Sequence, residues 1–161
     1  MEGIGKVHIT PAPDFSLQDH EGKIVKLADL IKEGPVVLAF YPGDFTPVCT
    51  KQLCNYRDNI EDFKKLPVSV CGISADPPES HRDFIEKNGF PFPLLSDPGK
   101  RVAKAYGCTS MMMFGGVSRA IYIVNKKGLV LYRYIEPTIL TSRKAHELIA
   151  ILGDLKKNGL I

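Results

Sequence analysis

Short, wholly apolar runs alternate along this chain with segments whose apolar residues return every three or four positions. The first pattern predicts strands and the second helices. Pro35 to Tyr41 and Val68 to Ser74 are apolar or small at almost every position, as expected of strands covered on both faces. Between them, Cys49, Leu53, Tyr56, Ile60 and Phe63 recur at steps of four, three, four and three, which trace one face of a helix. Thr46 suits the N-cap of that helix and Pro47 its first turn. Further helices are predicted over Ala28 to Lys32, over Pro78 to Asn88 closed by Gly89, and over Gly99 to Tyr106 closed by Gly107. A last amphipathic helix runs over Ser142 to Lys157, with Ala145, Leu148, Ile149, Leu152 and Leu155 inward.

Turn residues Asp19-His20-Glu21-Gly22 separate Phe15–Leu17 from Lys23–Leu27, which predicts an N-terminal β-hairpin. Ala120–Val124 and Leu129–Tyr134 form a second hairpin across Asn125–Gly128. Strand–helix–strand, further helices, then a hairpin and a closing helix describe an α/β fold with a mixed central sheet flanked by helices. A thioredoxin-like fold fits this order, and periodicity alone leaves a flavodoxin-like one open. With 161 residues and no repeat or linker, one domain over 1–161 is expected.

Composition narrows the classes. An apolar share of 44% supports a packed core. The net charge of +3 comes from 21 basic and 18 acidic side chains spread along the chain, so neither a nucleic-acid stripe nor an acidic tail is expected. Met1 to Thr10 lacks the apolar stretch of a signal peptide, and no run approaches membrane-spanning length. The expectation is a cytoplasmic protein without a membrane partner, in which four cysteines stay reduced or act in redox chemistry.

Cys49 carries the strongest chemical signal. The chain leaves a buried strand, turns through Pro42-Gly43-Asp44-Phe45, and enters a helix whose first turn holds this thiol. Unpaired N–H groups and the positive end of the helix dipole gather there. A free thiol titrates near 8.5, and such surroundings or a nearby cation lower it by about one unit or more. Burial of Cys49 as a small core residue stays open at this point, since it lies on the apolar face. Cys54 follows five residues later, roughly 500° around the helix, with its Cα roughly 8 to 9 Å away. That exceeds disulfide reach, so a Cys49–Cys54 bond requires local unwinding.

Pro42-x-x-x-Thr46-x-x-Cys49, with Phe40-Tyr41 before it and Thr50 after it, resembles the peroxiredoxin active-site signature. The Cys49–Cys54 spacing is similar to the peroxiredoxin Q (bacterioferritin comigratory protein) class. The likeness continues in Pro13-Asp14-Phe15, Gly72-Ile73-Ser74, Leu95-Ser96-Asp97-Pro98, Ala105-Tyr106-Gly107 and Arg119. The resemblance implies a peroxidatic Cys49, a resolving Cys54, a Thr46 that hydrogen-bonds thiolate and peroxide, a Pro42 that shields the sulfur, and an Arg119 beside it. It further implies hydrogen peroxide and organic hydroperoxides as substrates, a thioredoxin-type dithiol as reductant, and no cofactor. A monomer is expected, with a weak homodimer as the alternative. The chain departs from the class at Gln52, where Glu is usual.

Cys71, within an apolar strand, is expected to be inert. Cys108 is either a second resolving thiol or a bystander, with the bystander favoured. His8, His20, His81 and His146 share no metal-ligand spacing with the cysteines, so no metal is expected. Met111-Met112-Met113-Phe114 is expected to rim the site, help dock the reductant or form a contact patch, or else to be a flexible loop that fills gaps. A protein-disulfide oxidoreductase is disfavoured because no Cys-x-x-Cys occurs. A single-turnover redox sensor would use the same thiol and differs only in not consuming peroxide repeatedly.

Overall fold

The computed structural model describes residues 9–110 and 115–161; the Met111–Phe114 patch and the first eight residues lie outside them. Two stretches dominate the core because both of their faces meet apolar layers. In β4 (Val36–Phe40), Val37 and Ala39 point to one layer while Val36, Leu38 and Phe40 point to the other. This period-two division is what a continuously apolar strand must do to bury every side chain. β5 (Ser69–Ser74) pairs with it in parallel, from Val36 opposite Ser69 to Phe40 opposite Ile73. Gly72 in β5 leaves room for Leu94 and Tyr41, since a Cβ there would stand 2.6 Å from the Leu94 side chain.

The remaining strands complete one mixed sheet. They are β1 (Thr10–Pro11), β2 (Ser16–Asp19), β3 (Ile24–Lys26), β6 (Leu94–Ser96), β9 (Ala120–Val124) and β10 (Leu129–Ile135). The order is β1-β10-β9-β4-β5-β6-β2-β3. β9 runs antiparallel to β4, and β10 antiparallel to β9. An all-parallel flavodoxin-like sheet is thereby excluded, and the arrangement is thioredoxin-like. β7 (Thr109–Ser110) and β8 (Gly116–Val117) make a separate small ribbon.

Helices α2 (Pro47–Asp58), α3 (Ile60–Lys65), α4 (Pro78–Asn88) and α6 (Ala145–Lys157) pack on one face of the sheet. α1 (Leu27–Leu30) and α5 (Arg101–Tyr106) pack on the other. Two expectations need correction, and one strand was not foreseen. The periodicity from Cys49 to Phe63 runs through two helices, because Asn59 closes α2 and opens α3 while its side-chain amide donates to the Asn55 carbonyl at 2.8 Å. The last helix starts at Ala145 rather than Ser142, and its Ile149 is half-buried. Strand β6 escaped the pattern altogether: three residues directly after Pro93 are too few to show a period.

Candidate active site

α2 begins where β4 delivers the chain to the face that also carries α3, α4 and α6. Thr46 occupies the N-cap and Pro47 the first turn, as expected, but the Thr46 hydroxyl does not cap the helix. It donates back to the Gly43 carbonyl at 2.8 Å. Its proton is thus committed, and its lone pairs remain as acceptors. Pro47 has no N–H, and the first helical bond runs from Thr50 N to Thr46 O at 2.9 Å. The Val48 and Cys49 amides therefore precede the hydrogen-bonded ladder and are free to meet an anion.

Cys49 is fully buried. Arg119 Nη1 donates to its Sγ at 3.0 Å, the one hydrogen bond that joins two of the expected site residues. The same nitrogen donates to Gln52 Oε1 at 2.8 Å, Nε donates to the Thr141 carbonyl at 3.1 Å, and Nη2 reaches the Ile139 carbonyl at 3.4 Å. Arg119 is 3% exposed, and among the described residues it pairs with no carboxylate. A buried guanidinium held by neutral acceptors keeps its charge available to the sulfur, and a thiolate there would balance it.

Gln52 links this cation to the scaffold. Its amide nitrogen donates to the Tyr56 hydroxyl at 2.8 Å, and that hydroxyl donates to the Arg143 carbonyl at 2.6 Å. Burial pushes the Tyr56 phenol well above its usual range, so it remains a donor. Where the class usually carries Glu, the neutral Gln leaves the Arg119 charge uncompensated.

The other expected residues sit apart. Pro42 is half-buried in the loop before α2. Cys54 is half-buried on another side of the intact helix, and its thiol donates weakly to Asn88 Oδ1 at 3.7 Å. Arg57 Nη1 donates to the Asn88 carbonyl. All four cysteines are free. Cys71 and Cys108 belong to the core layer on the opposite face of the sheet from Cys49. Burial pushes the Cys108 thiol up to about 12 and Cys71 higher still, as inert thiols.

The thioredoxin-like sheet thus sets a helix-start cysteine against a buried arginine. Residues 9–133 match the AhpC/TSA family, and the chain belongs to it. Among its relatives is the chloroplastic peroxiredoxin Q of Triticum aestivum, 47% identical over 122 residues that span 76% of this chain and 56% of that protein. The chloroplastic peroxiredoxin Q of Arabidopsis thaliana is 46% identical over 119 residues, 74% of this chain and 55% of the relative. The chain thus spans a little over half the length of these curated relatives. Among solved structures, the peroxidoxin BcpB from Mycobacterium tuberculosis superposes with a TM-score of 0.82 at 31% identity, covering 94% of this chain and 97% of that one. Xanthomonas campestris peroxiredoxin Q gives 0.75 at 27% identity, over 89% and 90%.

Sequence reasoning missed one cluster at this loop. Asp44, Asp76 and His81 bring their polar atoms within 4.8 Å of one another. The available signal was His81 standing three residues before Phe84, on the inward face of α4.

Proposed function

We propose that the protein is a thiol-dependent peroxidase that reduces hydrogen peroxide and organic hydroperoxides through Cys49. The observation that carries this reading is the buried Arg119 guanidinium 3.0 Å from Cys49 Sγ at the start of α2. The thiolate attacks one peroxide oxygen, the O–O bond breaks, and the leaving oxygen departs as water or alcohol after taking a proton. Cys49 becomes a sulfenic acid. Arg119 and the amides of Val48 and Cys49 stabilise the charge that develops on the oxygens. The Thr46 hydroxyl, its own proton committed to Gly43, accepts a hydrogen bond from the peroxide, and Pro42 keeps water from the sulfur.

Cys54 then condenses with the sulfenic acid, expelling water and forming a disulfide, and a thioredoxin-type dithiol reduces it by exchange. Because one helix carries both thiols, no second chain is needed, and a monomer is the expected active species. Four unpaired thiols favour a reducing compartment such as the cytoplasm.

Intact mass and peptide mapping after one equivalent of hydrogen peroxide test the cycle. Wild type should lose two hydrogens and yield a Cys49–Cys54 cross-linked peptide, while Cys54→Ser should gain oxygen at Cys49. A Cys49 that stays reduced in both would sink the proposal.

A further inference from the structure

Asp44 stands in the middle of the loop that delivers Thr46 and Cys49, yet its side chain is only 1% exposed and its partner His81 is fully buried. Asp44 Oδ1 accepts from the Tyr41 hydroxyl at 2.6 Å, and Oδ2 accepts from Ser80 Oγ at 2.8 Å. Oδ2 also lies 2.7 Å from His81 Nδ1. His81 Nε2 faces the Leu95 carbonyl at 3.0 Å. A carbonyl only accepts, so Nε2 is the donor there, and Nδ1 faces the Asp44 carboxyl. The Asp44 backbone N–H donates to Asp76 Oδ2 at 2.8 Å, and the Ser74 hydroxyl donates to that same oxygen at 2.6 Å. The ends of β4 and β5 and the first turn of α4 converge on this one loop residue, and β6 reaches it through His81.

Phe45, the next residue, is one of two non-glycine residues with positive φ among those described, at 63°. A bulky residue in the left-handed region persists only where its surroundings hold it there. Phe45 is 47% exposed, and its ring lies against the Phe84 ring at 5.0 Å and the Lys87 ammonium at 5.8 Å. The firm hold is therefore on the preceding residue. Thr46 follows immediately, and α2 begins after it.

We propose that the buried Asp44–His81 pair is a positioning device for the peroxide-reactive thiol. It holds the Phe45 turn left-handed and so fixes Thr46 and the first turn of α2 against Arg119. Neither residue touches the sulfur. The inference rests on Cys49 being the reactive thiol.

The test measures the rate of Cys49 oxidation by hydrogen peroxide and, separately, the rate at which dithiothreitol reduces the preformed disulfide. Asp44→Asn and His81→Gln should slow oxidation about tenfold or more and leave reduction within about twofold of wild type. A role in stability alone would not divide the two steps in this way. Adding Phe45→Gly to Asp44→Asn should recover much of the lost rate, because glycine adopts this turn without an anchor. Ser80→Ala, which removes one bond to Asp44 and little packing, should slow oxidation by a smaller factor and serves where the charged-pair variants do not fold. Wild-type oxidation rates in the Asp44, His81 and Ser80 variants would overturn the inference, as would failure of Phe45→Gly to restore any rate. Wild-type oxidation is the internal control. Its absence overturns both this inference and the reading beneath it, whereas fast wild type with equally fast variants overturns this inference alone.

Discussion

Arg119 shows how much one side chain can concentrate. Its guanidinium spreads over Cys49, Gln52, Thr141 and Ile139, so its direction is fixed before any substrate arrives. A preorganised donor of this kind is worth on the order of 10²–10³ in rate. Arg119→Ala is therefore expected to slow Cys49 oxidation by about that factor, measured by competition for limiting peroxide. Arg119→Lys should fall between the two, since an ammonium keeps the charge but cannot donate in the same fork. An Arg at the start of a strand carries no such meaning by itself. The resemblance singled it out, and the 3.0 Å contact arises because β9, which Arg119 precedes, pairs with β4, whose end leads into α2.

Among the elements, α2 is held unevenly. Its second half is tied at four points. Asn55 Oδ1 accepts from Ala145 N at 2.7 Å, the Tyr56 hydroxyl reaches Arg143, Arg57 reaches the Asn88 carbonyl, and Cys54 reaches the Asn88 side chain. Among the described residues, its first half is tied beyond the helix and its Thr46 cap by hydrogen bonds only through Cys49 and Gln52, both to Arg119. If Cys49 and Cys54 join, the weakly held end is the one expected to unwind. Amide hydrogen exchange should then show Val48 to Leu53 losing protection in the disulfide form while α4 and the start of α6 keep theirs. Loss of protection in the second half with the first intact would contradict this. Leu53, fully buried in the middle of the helix, bears the packing, and Leu53→Ala should cost about 2–5 kcal/mol in denaturant unfolding.

For the molecule as a whole, the sheet divides the cysteines. Cys49 and Cys54 lie with one core layer, Cys71 and Cys108 with the other. The alternative of Cys108 as a resolving thiol would require passage through the sheet. Cys71→Ala and Cys108→Ala should accordingly keep peroxide turnover, and a single-turnover cross-link should still join Cys49 to Cys54. The buried thiols also set an alkaline limit. Unfolded, Cys108 releases its proton near its ordinary 9.0; folded, it holds it up to about 12. Across that window the native state binds more protons, so stability falls as pH rises. Thermal midpoints should decline above pH 9, and less steeply in Cys108→Ala.

What the sequence determined by itself was whatever depends on near neighbours. Wholly apolar runs required two-faced strands, and periodic apolar faces required helices. Gly89 and Gly107 ended theirs, because the chain turns left-handed there. The Thr46-Pro47 start placed Cys49 in a first turn, and the spacing to Cys54 already kept the pair apart. Tertiary structure decided what depends on partners distant in the chain. It sent the Thr46 hydroxyl to Gly43, set Arg119 on Cys49 across 70 residues, and put Cys108 behind the sheet. It also buried Asp44 against His81, which in isolation read as a polar turn residue and a histidine with no metal partner. Burying a carboxylate and an imidazole is tolerable only when each finds hydrogen-bond partners, and no local pattern announces where those partners meet.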